Sequence, residues 1–417
     1  MGFRLNIGFL YLHSPGESMG SINRVKCLCS GLIKLNHKCY IFSPYNYYEN
    51  WGPLVKFINI TGILSKGQIS KKIYQIIRKI INTQHISRFT LLQPNMLNFM
   101  IKKLANNFFQ TIKESSYTLD FIIGEQEIAS LILIYLKNSI NIPIIANYHN
   151  YWPEELVEQA IIKKNSKIYN FLVNLEKKII DHSNLVITNG EYISKFLIKQ
   201  FGEKFKSKIL SIPNGSYPIL NKPKKKNFPP KIINSGMVVH RSNLNLFLES
   251  IPYIIEQFPE SQFYITRKGD ELKQVMRKAK KMKLNVNFYW KNSYQEFIDL
   301  LSNCNVGIVT SSYELTRQLG FASKILDYLA VGLPVVGNNI GGWTEIIPHY
   351  KIGILSKNEP KDLAKNILNL LNNQDICYEF GQNGINLLKN DYNSEKIARK
   401  LVNIIISIKN KNSRSTI

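Results

Sequence analysis

The sequence predicts an α/β protein made of two doubly wound domains, each built around a parallel β-sheet. Short apolar runs typical of buried strands alternate with helix-like segments in both halves of the chain. A stretch rich in proline and lysine, 216–231, separates the halves and cannot form a packed element. The length of 417 residues suits two domains of ordinary size.

The first half opens with a βαβ pattern. A strand-like run, LNIGFLYL, is followed by the loop HSPGESMGS, the helix-like INRVKCLCSGLIKLN and the strand-like KCYIFSP. A signal peptide can begin in a similar way, but no small-residue cleavage site follows, so a first strand is preferred. Further strands are predicted at 119–124, 142–149 and 184–190, with helical sequence over 154–182.

The second half repeats this alternation. Strands are predicted within 231–238, 262–266, 285–290, 306–311, 333–339 and 352–356; helices at 243–257, 271–282, 293–302 and 323–330, with a short segment at 343–347 and a helical tail over 360–410. We expect a first domain over 1–215, a linker over 216–231, a second domain over 232–390, and a helix and tail over 391–417 that can cross back to the first domain. Ligands of such sheets lie outside the carboxyl ends of the strands, so two facing sheets would place the site in a cleft.

The composition favours an anionic partner. Lysine and arginine total 54 against 29 acidic residues, a formal net charge of +25, which suits an acidic lipid surface, a phosphate-bearing substrate or nucleic acid. The alternative is a general abundance of lysine, because the lysines are spread along the chain. Nucleic acid is not expected as a partner, since the sequence contains no recognised nucleic-acid motif. Residues 66–89 predict a basic amphipathic helix, which lies in a membrane interface or packs on its own domain.

Cysteine usage and hydropathy bear on the compartment. The five cysteines are odd in number and have no CxxC spacing, which argues against a disulfide framework or a zinc site and fits a reducing compartment. No apolar run reaches the length of a membrane span. We therefore expect a cytoplasmic protein, able to associate peripherally with the inner face of the cell membrane.

The stretch 319–347, LGFASKILDYLAVGLPVVGNNIGGWTEII, combines glycines with aliphatic residues. Its glycines lie at predicted strand ends and helix starts, where backbone N–H groups can approach an anion such as a diphosphate. Lys324, in the first turn of a predicted helix, would add a positive charge. Asp327 either accepts hydrogen bonds from ribose hydroxyls or is an ordinary exposed helix residue.

This stretch resembles the signature of family 4 glycosyltransferases of the GT-B fold, an acid-x7-acid motif of the type EGFGLPLLEAMACGTPVV followed by GG..E. Here Gly320 and Phe321 match its GF, Asp327 matches the second acid, and AVGLPVV and GGWTEII continue the match. The resemblance covers most of the chain, including IPNG at 212–215 and the first βαβ unit. The order and spacing of IPNG and of PVV…GG..E make it specific.

The resemblance implies a retaining hexosyltransferase-like enzyme that uses no metal and no separate cofactor. Its donor would be a UDP- or GDP-sugar, and its acceptor a glycan or a polyprenyl-phosphate-linked sugar at an anionic membrane surface. The alternative is a catalytically impaired protein of the same fold that binds carbohydrate or an anionic surface. It is suggested by Leu319, which stands where the family places its first acid, eight positions before Asp327 (319 to 327).

Other residues can replace what the motif lacks. Glu314 either supplies the missing carboxylate or is a loop residue, and Lys324 stands where some relatives also have a lysine. The family's basic pair after the first strand of the second domain is altered, and Arg241 either clamps the phosphates instead or is a surface charge. Arg267 and Lys268, at a strand end, are further phosphate candidates.

Four glycines, one glutamate and one histidine complete the predicted site. Gly16 and Gly20 flank a loop that could lie against a phosphate or form a plain βα turn. His149, at the carboxyl end of a predicted strand, either orients or deprotonates the acceptor hydroxyl or is structural. Glu345 either caps the segment after it or binds ribose. Gly341 and Gly342 precede it.

Overall fold

The structure, a computed structural model, shows two compact units, Met1–Pro213 with Ser394–Ile417 and Asn214–Asn393. It describes residues 4–13, 19–46, 50–60, 94–115, 117–215, 223, 228–266, 268–289 and 294–414. The predicted basic helix over 66–89 therefore lies entirely outside the described residues, as does most of the predicted linker over 216–231. No helix in the described part of the chain is both long and apolar enough to cross a membrane.

The first unit is a parallel sheet with helices around it. Its strands are β1 (Asn6–Leu10), β2 (Lys38–Ser43), β3 (Val55–Asn59), β4 (Phe121–Glu125), β5 (Ile144–Tyr148), β6 (Leu185–Thr188) and β7 (Ile209–Ser211), in the order β3-β2-β1-β4-β5-β6-β7. Its helices are α1 (Met19–Lys34), α2 (Pro94–Glu114), α3 (Gln126–Tyr135), α4 (Trp152–Glu158), α5 (Lys167–His182), α6 (Glu191–Phe201) and, from the end of the chain, α15 (Ser394–Arg414).

The second unit has the same plan. Its strands are β8 (Lys231–Asn234), β9 (Gln262–Thr266), β10 (Val286–Tyr289), β11 (Val306–Val309), β12 (Val335–Asn338) and β13 (Gly353–Ser356), in the order β10-β9-β8-β11-β12-β13. Its helices are α7 (Leu244–Ile255), α8 (Leu272–Lys281), α9 (Tyr294–Ser302), α10 (Leu315–Leu319), α11 (Lys324–Ala330), α12 (Trp343–His349), α13 (Pro360–Asn372) and α14 (Gln374–Asn390).

All described strand pairs in both sheets are parallel, which confirms the prediction of two doubly wound sheets. Each sheet reverses its strand order once, between β1 and β4 in the first unit and between β8 and β11 in the second. Ligands of doubly wound sheets bind at such switch points, outside the carboxyl ends of the strands. The fold therefore marks two places where functional side chains should be sought.

One helical region differs from the prediction. The sequence over 154–182 reads as continuous helix, but the structure divides it into α4 and α5. Between them Ala160 and Asn165 adopt left-handed backbone with φ of 55° and 60°, and Ser166 then caps α5 by accepting a hydrogen bond from the amide of Tyr169 at 3.2 Å. Left-handed residues cannot continue a right-handed helix, so the chain must restart with a new cap.

The last helix of the chain packs in the first unit. Helix α15 lies against α1, and a Cβ placed on Gly31 of α1 would stand 1.9 Å from the carbonyl oxygen of Ser394 and 2.7 Å from Cβ of Ala398. Ala398 and Leu401 are fully buried in the same core as strand β1. Glycine at 31 is therefore what lets the two helices approach so closely.

The first unit also contains buried carboxyl groups. Glu127 and Glu176 are both buried near Tyr148, whose hydroxyl donates a hydrogen bond to Glu176. Burial, reinforced by the like charges of Glu155 and Glu125, raises the pKa of Glu127 to about 8, although its own backbone opposes the rise. Burial also raises the pKa of Glu176, with the charge of Glu127 as the next cause. The folded chain thus keeps protons on carboxyls that an unfolded chain would release.

We predict that Gly31→Ala destabilises the first unit by about 3 kcal/mol, the upper end of the range for overpacked cores, because α1 and α15 must separate to admit the methyl group. The midpoint of thermal unfolding, followed by circular dichroism, measures the change. Gly190→Ala is the control, because no heavy atom lies within 4 Å of the position its Cβ would take. Equal effects of the two substitutions would contradict this packing.

We predict that Glu127→Gln flattens the fall of stability with pH between about 4.5 and 8. In that window the unfolded chain releases the proton that folded Glu127 retains, so the wild-type protein loses stability as pH rises, by at most about 1.4 kcal/mol per pH unit. A glutamine cannot titrate. Urea unfolding at pH 5, 6, 7 and 8 tests this, with the exposed Glu191→Gln as control; parallel profiles for wild type and Glu127→Gln would refute it.

Candidate active site

Helix α11 is fixed across the switch point of the second sheet by Tyr328. The hydroxyl of this fully buried side chain accepts a hydrogen bond from the amide of Ser235, just after β8, at 2.8 Å and donates one to the carbonyl of Ile308 in β11 at 3.2 Å. A Cβ on Gly307 would stand 2.6 Å from its ring. Glycine in β11 thus admits the tyrosine, and the tyrosine joins α11 to both strands that border the switch point.

This arrangement places Lys324, the first residue of α11, at the end of β8. Its Nζ donates a hydrogen bond to Oδ1 of Asn234 at 3.1 Å. A Cβ on Gly236 would lie 3.0 Å from Cε and 3.2 Å from Nζ of the lysine, so a glycine with φ of 107° leaves room for the side chain. Asn234 is buried and donates from Nδ2 to the hydroxyl of Thr310 at 3.0 Å. A cation is therefore held at the carboxyl end of the central strand.

The loops after β8 and β9 pack tightly against each other. A Cβ on Gly269 would stand 2.1 Å from the carbonyl oxygen of Val238, so the approach requires glycine there. Arg241 lies in the first of these loops, and its carbonyl accepts hydrogen bonds from the end of β11. Lys268 lies in the second and is exposed, whereas Arg267 falls outside the described residues. The phosphate roles of Arg241, Arg267 and Lys268 stay predictions.

The position where the motif would have its first acid lies in a short helix. A short helix of five residues, α10, lies between Glu314 and Gly320. Its last residue, Leu319, is buried with 8% of its surface exposed, so it contributes to the core rather than to a polar site. Glu314 instead stands after the end of β11, where its Oε2 accepts a hydrogen bond from the hydroxyl of Ser312 at 2.6 Å. A carboxylate is thus present at this strand end, thirteen positions before Asp327 (314 to 327).

The glycine pair of the motif serves backbone packing. The amide of Gly342 donates to the carbonyl of Gly320 at 3.0 Å, and a Cβ on Gly341 would stand 2.8 Å from the carbonyl oxygen of Arg317. The amides of Gly342 and Gly320 both already donate hydrogen bonds within the protein, because the amide of Gly320 donates to the carbonyl of Thr316. A diphosphate would have to use other amides than those of Gly320 and Gly342.

The remaining motif residues lie close to this loop in the sequence. Phe321 stacks on Tyr392, with ring centroids 6.2 Å apart, so its ring belongs to the packing of the unit. Asp327 is half-buried in the first turn of α11. Glu345 is exposed in the first turn of α12, a position where a carboxylate favours the positive end of the helix. The ribose role stays a prediction for both acids.

An asparagine network, which the sequence interpretation missed, joins the ends of three strands. Asn338, fully buried at the end of β12, accepts from the amide of Ser311 at 3.0 Å and donates to Oδ1 of Asn358 at 2.8 Å. The same Oδ1 accepts from Asn243 at 3.1 Å. The detectable signal was asparagine as the last residue of apolar strands, as in VVGN and KIIN.

In the first unit, polar side chains gather at the β1/β4 switch point. Gln126, the residue after β4, has left-handed backbone with φ of 66°, a strained conformation for such a side chain. It bonds to Nε2 of His13 beyond the end of β1 at 2.9 Å. Glu125, immediately before it, is buried and makes an ion-pair contact of 2.6 Å from its Oε1 to Nε2 of His149. The imidazole of His149 is 11% exposed, at the end of β5.

A buried arginine supports this pair. Arg24 of α1 donates from Nε and Nη2 to Oδ1 of Asn147, at 3.0 and 2.9 Å, and from Nη1 to the carbonyl of Ile212. Asn147 in turn donates to Glu125 at 2.6 Å. Burial would raise the pKa of Glu125, but the charges of His149 and Arg24 and the hydrogen bond from Asn147 outweigh it and lower the pKa. Glu125 is thus held as a carboxylate beside the histidine.

Of the predicted residues of the first unit that the structure describes, His149 joins this network and Gly20 does not. Gly20 lies inside the first turn of α1 rather than in the loop predicted for it, and Gly16 falls outside the described residues. The sequence interpretation missed Glu125, Asn147 and Arg24. The usable signal was a glutamate closing the apolar strand FIIGE.

Comparison with known proteins agrees with the fold. Residues 218–387 match the family model for glycosyl transferases group 1. An uncharacterized glycosyltransferase of Methanocaldococcus jannaschii is 26% identical over 252 residues, which cover 60% of this chain and 64% of that protein. The poly(ribitol-phosphate) alpha-N-acetylglucosaminyltransferase of Staphylococcus aureus is 24% identical over 239 residues, 56% of this chain and 46% of that protein. Both matches span less than two thirds of the relative's own length.

A solved structure covers nearly the whole chain. Anabaena HepE in complex with UDP superposes with a TM-score of 0.67 and 15% identity, over 97% of this chain and 100% of that one. The chain therefore has the two-domain fold of the GT-B glycosyltransferases, and its residues 218–387 match the glycosyl transferases group 1 family.

Proposed function

We propose that this protein transfers a sugar from a nucleoside-diphosphate sugar to a glycan or lipid-linked acceptor. The observation that carries the proposal is the position of Lys324, held by Asn234 over Gly236 at the carboxyl end of β8. A switch point of a doubly wound sheet is where such folds bind nucleotides. The match of this unit to the group 1 family and the UDP in the HepE complex support the assignment.

The physical role of Lys324 follows from the charge that develops during transfer. When the bond between the anomeric carbon and the diphosphate breaks, negative charge grows on the departing diphosphate. A cation already in place stabilises that charge without reorganising at the moment of reaction. Its hydrogen bond to Asn234 restricts the lysine, so less side-chain entropy is lost when phosphate binds. No metal ion is needed in this scheme, with Arg241, Arg267 and Lys268 as additional cations.

Two acids complete the donor site in this proposal. Asp327 lies one turn after Lys324 on α11, where its carboxylate can accept hydrogen bonds from the ribose hydroxyls. Glu314, at the end of β11, would contact hydroxyls of the transferred sugar. Because Leu319 is in the core, the motif's acid is supplied from a different position rather than lost. This favours an active enzyme over the alternative of a carbohydrate-binding protein without catalysis.

The first unit would serve the acceptor. His149 is held by Glu125, as a catalytic imidazole is held by a carboxylate in acid–base catalysis. In this proposal the imidazole, in its neutral form, orients the acceptor hydroxyl and takes its proton during transfer. The family resemblance stated for the sequence supports retention at the anomeric carbon, with attack on the same face that the diphosphate leaves.

A phosphate-linked acceptor fits the charge of the chain. The Staphylococcus relative is named for a poly(ribitol-phosphate) acceptor, and this chain carries a net charge of +25. Exposed cations on α8 include Lys273, Arg277, Lys280 and Lys281. We propose a polyanionic glycan or a polyprenyl-phosphate-linked sugar, the latter at an anionic membrane surface on the cytoplasmic side.

We predict that wild-type protein binds UDP or GDP and consumes one of their sugars, and that Lys324→Ala weakens nucleotide binding about tenfold to hundredfold. A charged hydrogen bond of about 1.5–3 kcal/mol sets that range. Isothermal titration gives the affinity, and release of the free nucleotide gives turnover, with acceptors offered in solution and in anionic vesicles. Lys389→Ala, an exposed lysine at the end of α14, is the control.

Two results would contradict this proposal. One is the absence of binding and turnover across UDP, GDP and their sugars. The other is a Lys324→Ala variant that binds as tightly as the wild type, which would remove the observation on which the donor site depends. An Asp327→Ala variant separates ribose recognition from phosphate recognition, because it should weaken binding of UDP but leave that of free diphosphate unchanged.

We predict that His149→Gln lowers kcat about hundredfold while the affinity for the nucleotide stays within twofold, since general acid–base groups contribute a factor of about 10² to 10⁴. Steady-state kinetics with saturating donor measure kcat. His182→Gln is the matched control, because that imidazole is exposed at the end of α5. A wild-type kcat in His149→Gln would refute the role, and circular dichroism verifies that both variants are folded.

A further inference from the structure

The outer face of helix α8 carries a row of cations. This helix connects β9 to β10, the edge strand of the second sheet, and packs Val275 and Ala279 into the core. Four exposed cations follow the spacing i, i+4, i+7 and i+8, and we call them the α8 stripe: Lys273, Arg277, Lys280 and Lys281. Residues at these spacings share one face of a helix, and the two buried residues lie on the opposite face.

The stripe has no acidic partner in the described part of the chain. Its four side chains make no ion pair and no side-chain hydrogen bond with any described residue. The remaining cation of α8, Lys278, lies beside the stripe and pairs with Glu249 of α7. Asp270 and Glu271 precede the helix, and Glu271 contacts His240 instead. Because the sequence has no acid from 272 to 295, the potential at this face is positive.

The stability of the helix does not explain the stripe. Cations in the last turn stabilise a helix through its dipole, which accounts for Lys280 and Lys281, but a cation in the first turn, such as Lys273, is unfavourable. Arg277 lies four residues from both Lys273 and Lys281, and like charges at that spacing destabilise a helix. An anion lying on the stripe would relieve these repulsions.

The shape of the stripe fits a linear polyanion. At a rise of about 1.5 Å per residue, the row from Lys273 to Lys281 extends about 12 Å along the helix axis. A single phosphate group contacts only part of such a row, whereas a chain with a phosphate in every repeat contacts several cations at once. Each further contact forms at a high effective concentration, because the polymer is already bound.

A membrane surface fits the stripe less well. A helix that lies in a membrane interface inserts its apolar face among the lipids. The apolar face of α8 is instead buried in the core of the second unit, and Met276, 44% exposed, adds little apolar surface. Contact with a membrane would therefore be purely electrostatic, and a narrow row of charges matches a chain better than a plane.

The stripe leads away from the candidate donor site. Helix α8 begins after the carboxyl end of β9, next to the loop that carries the exposed Lys268, and ends before β10 at the opposite edge of the sheet. Strand β9 is the neighbour of β8, at whose end Lys324 is held. A polymer on the stripe would thus extend from the sheet edge that holds the donor site toward the other edge.

We propose that the α8 stripe is an exosite, a binding surface away from the reacting groups, for a phosphate-bearing polymer. The inference rests on the proposed function, because the polymer is taken to be the acceptor glycan. The stripe binds phosphates of repeats that do not react, so it contributes equally to the ground state and to the transition state. Its loss therefore raises KM for a long acceptor and leaves kcat unchanged.

The test uses the full-length protein with the stripe replaced by glutamine, in the combined variant Lys273→Gln, Arg277→Gln, Lys280→Gln and Lys281→Gln. The matched control removes the same charge from exposed lysines elsewhere in the second unit: Lys357→Gln, Lys361→Gln, Lys365→Gln and Lys389→Gln. Isothermal titration measures binding of poly(ribitol phosphate), for which the Staphylococcus relative is named, and of its single repeat. Dextran, single-stranded DNA and vesicles that contain phosphatidylglycerol are titrated for comparison.

We expect the stripe variant to bind poly(ribitol phosphate) about tenfold to hundredfold more weakly than the wild type, since each exposed ion pair contributes a factor of about 1.5 to 5. The difference should shrink between about 50 and 200 mM salt, because salt screens exposed charges. Affinities for the single repeat and for UDP should stay within twofold of the wild type. The control variant should match the wild type in every titration.

Three results would overturn the exosite. The first is an equal loss of polymer binding in both variants, which would be an effect of net charge alone. The second is polymer binding that the stripe variant retains in full or that the wild type lacks. The third is a stripe that binds vesicles or single-stranded DNA but not poly(ribitol phosphate).

The exosite and the proposed function can fail separately. Turnover of a nucleotide sugar with the same KM for the polymer in wild type and stripe variant overturns the exosite alone. Polymer binding that depends on the stripe, with no UDP- or GDP-sugar bound or consumed, supports a polymer site on α8 and overturns glycosyl transfer.

Discussion

The candidate donor site depends on one contact, Tyr328 packed across Gly307. Because β11 has no side chain at 307, the tyrosine ring lies directly on the strand, and its hydroxyl accepts a hydrogen bond from the amide of Ser235, just after the neighbouring strand β8. That bond fixes the start of α11, and hence Lys324, relative to the end of β8. A larger residue at 307 would displace the helix and the cation together. The position of the Lys324 side chain therefore depends on the packing of Tyr328, four residues further along α11, against Gly307.

Both units place polar groups at the point where strand order reverses, but with opposite sign. In the second unit the group held at the central strand is a cation, Lys324. In the first it is a carboxylate, Glu125, stabilised by the fully buried Arg24 through Asn147. Buried charges are costly unless they are paired and hydrogen-bonded. Glu125 has such partners, and the half-buried Lys324 donates a hydrogen bond to Asn234. In the proposed reaction, the cation would face the anionic donor, and the carboxylate would act through His149 on the acceptor.

The strands and most helices of this chain were predictable because their patterns are local. The places of His149 and Lys324 in the fold could also be predicted from the sequence. His149 directly follows a strand and Lys324 begins a helix, and the periodicity identifies both elements. Arg24 was not, because an arginine in an amphipathic helix usually faces solvent, and only the return of the chain at Ile212 and Asn147 shows that it is enclosed. The break between α4 and α5 was missed for a related reason. Left-handed backbone at Ala160 leaves no trace in hydrophobic periodicity.

For the acid motif, the spacing of residues along the sequence does not by itself predict where a carboxylate lies in space. Matching Leu319 to an acid assumes that the chain between the strand end and Asp327 has the family's length. In the structure this interval contains α10, and its last residue, Leu319, is buried. Glu314, which stands after the end of β11, is the acid that we propose for the missing position. What a strand end can offer a ligand depends on distance from that end in space, which a count of positions along the sequence does not give.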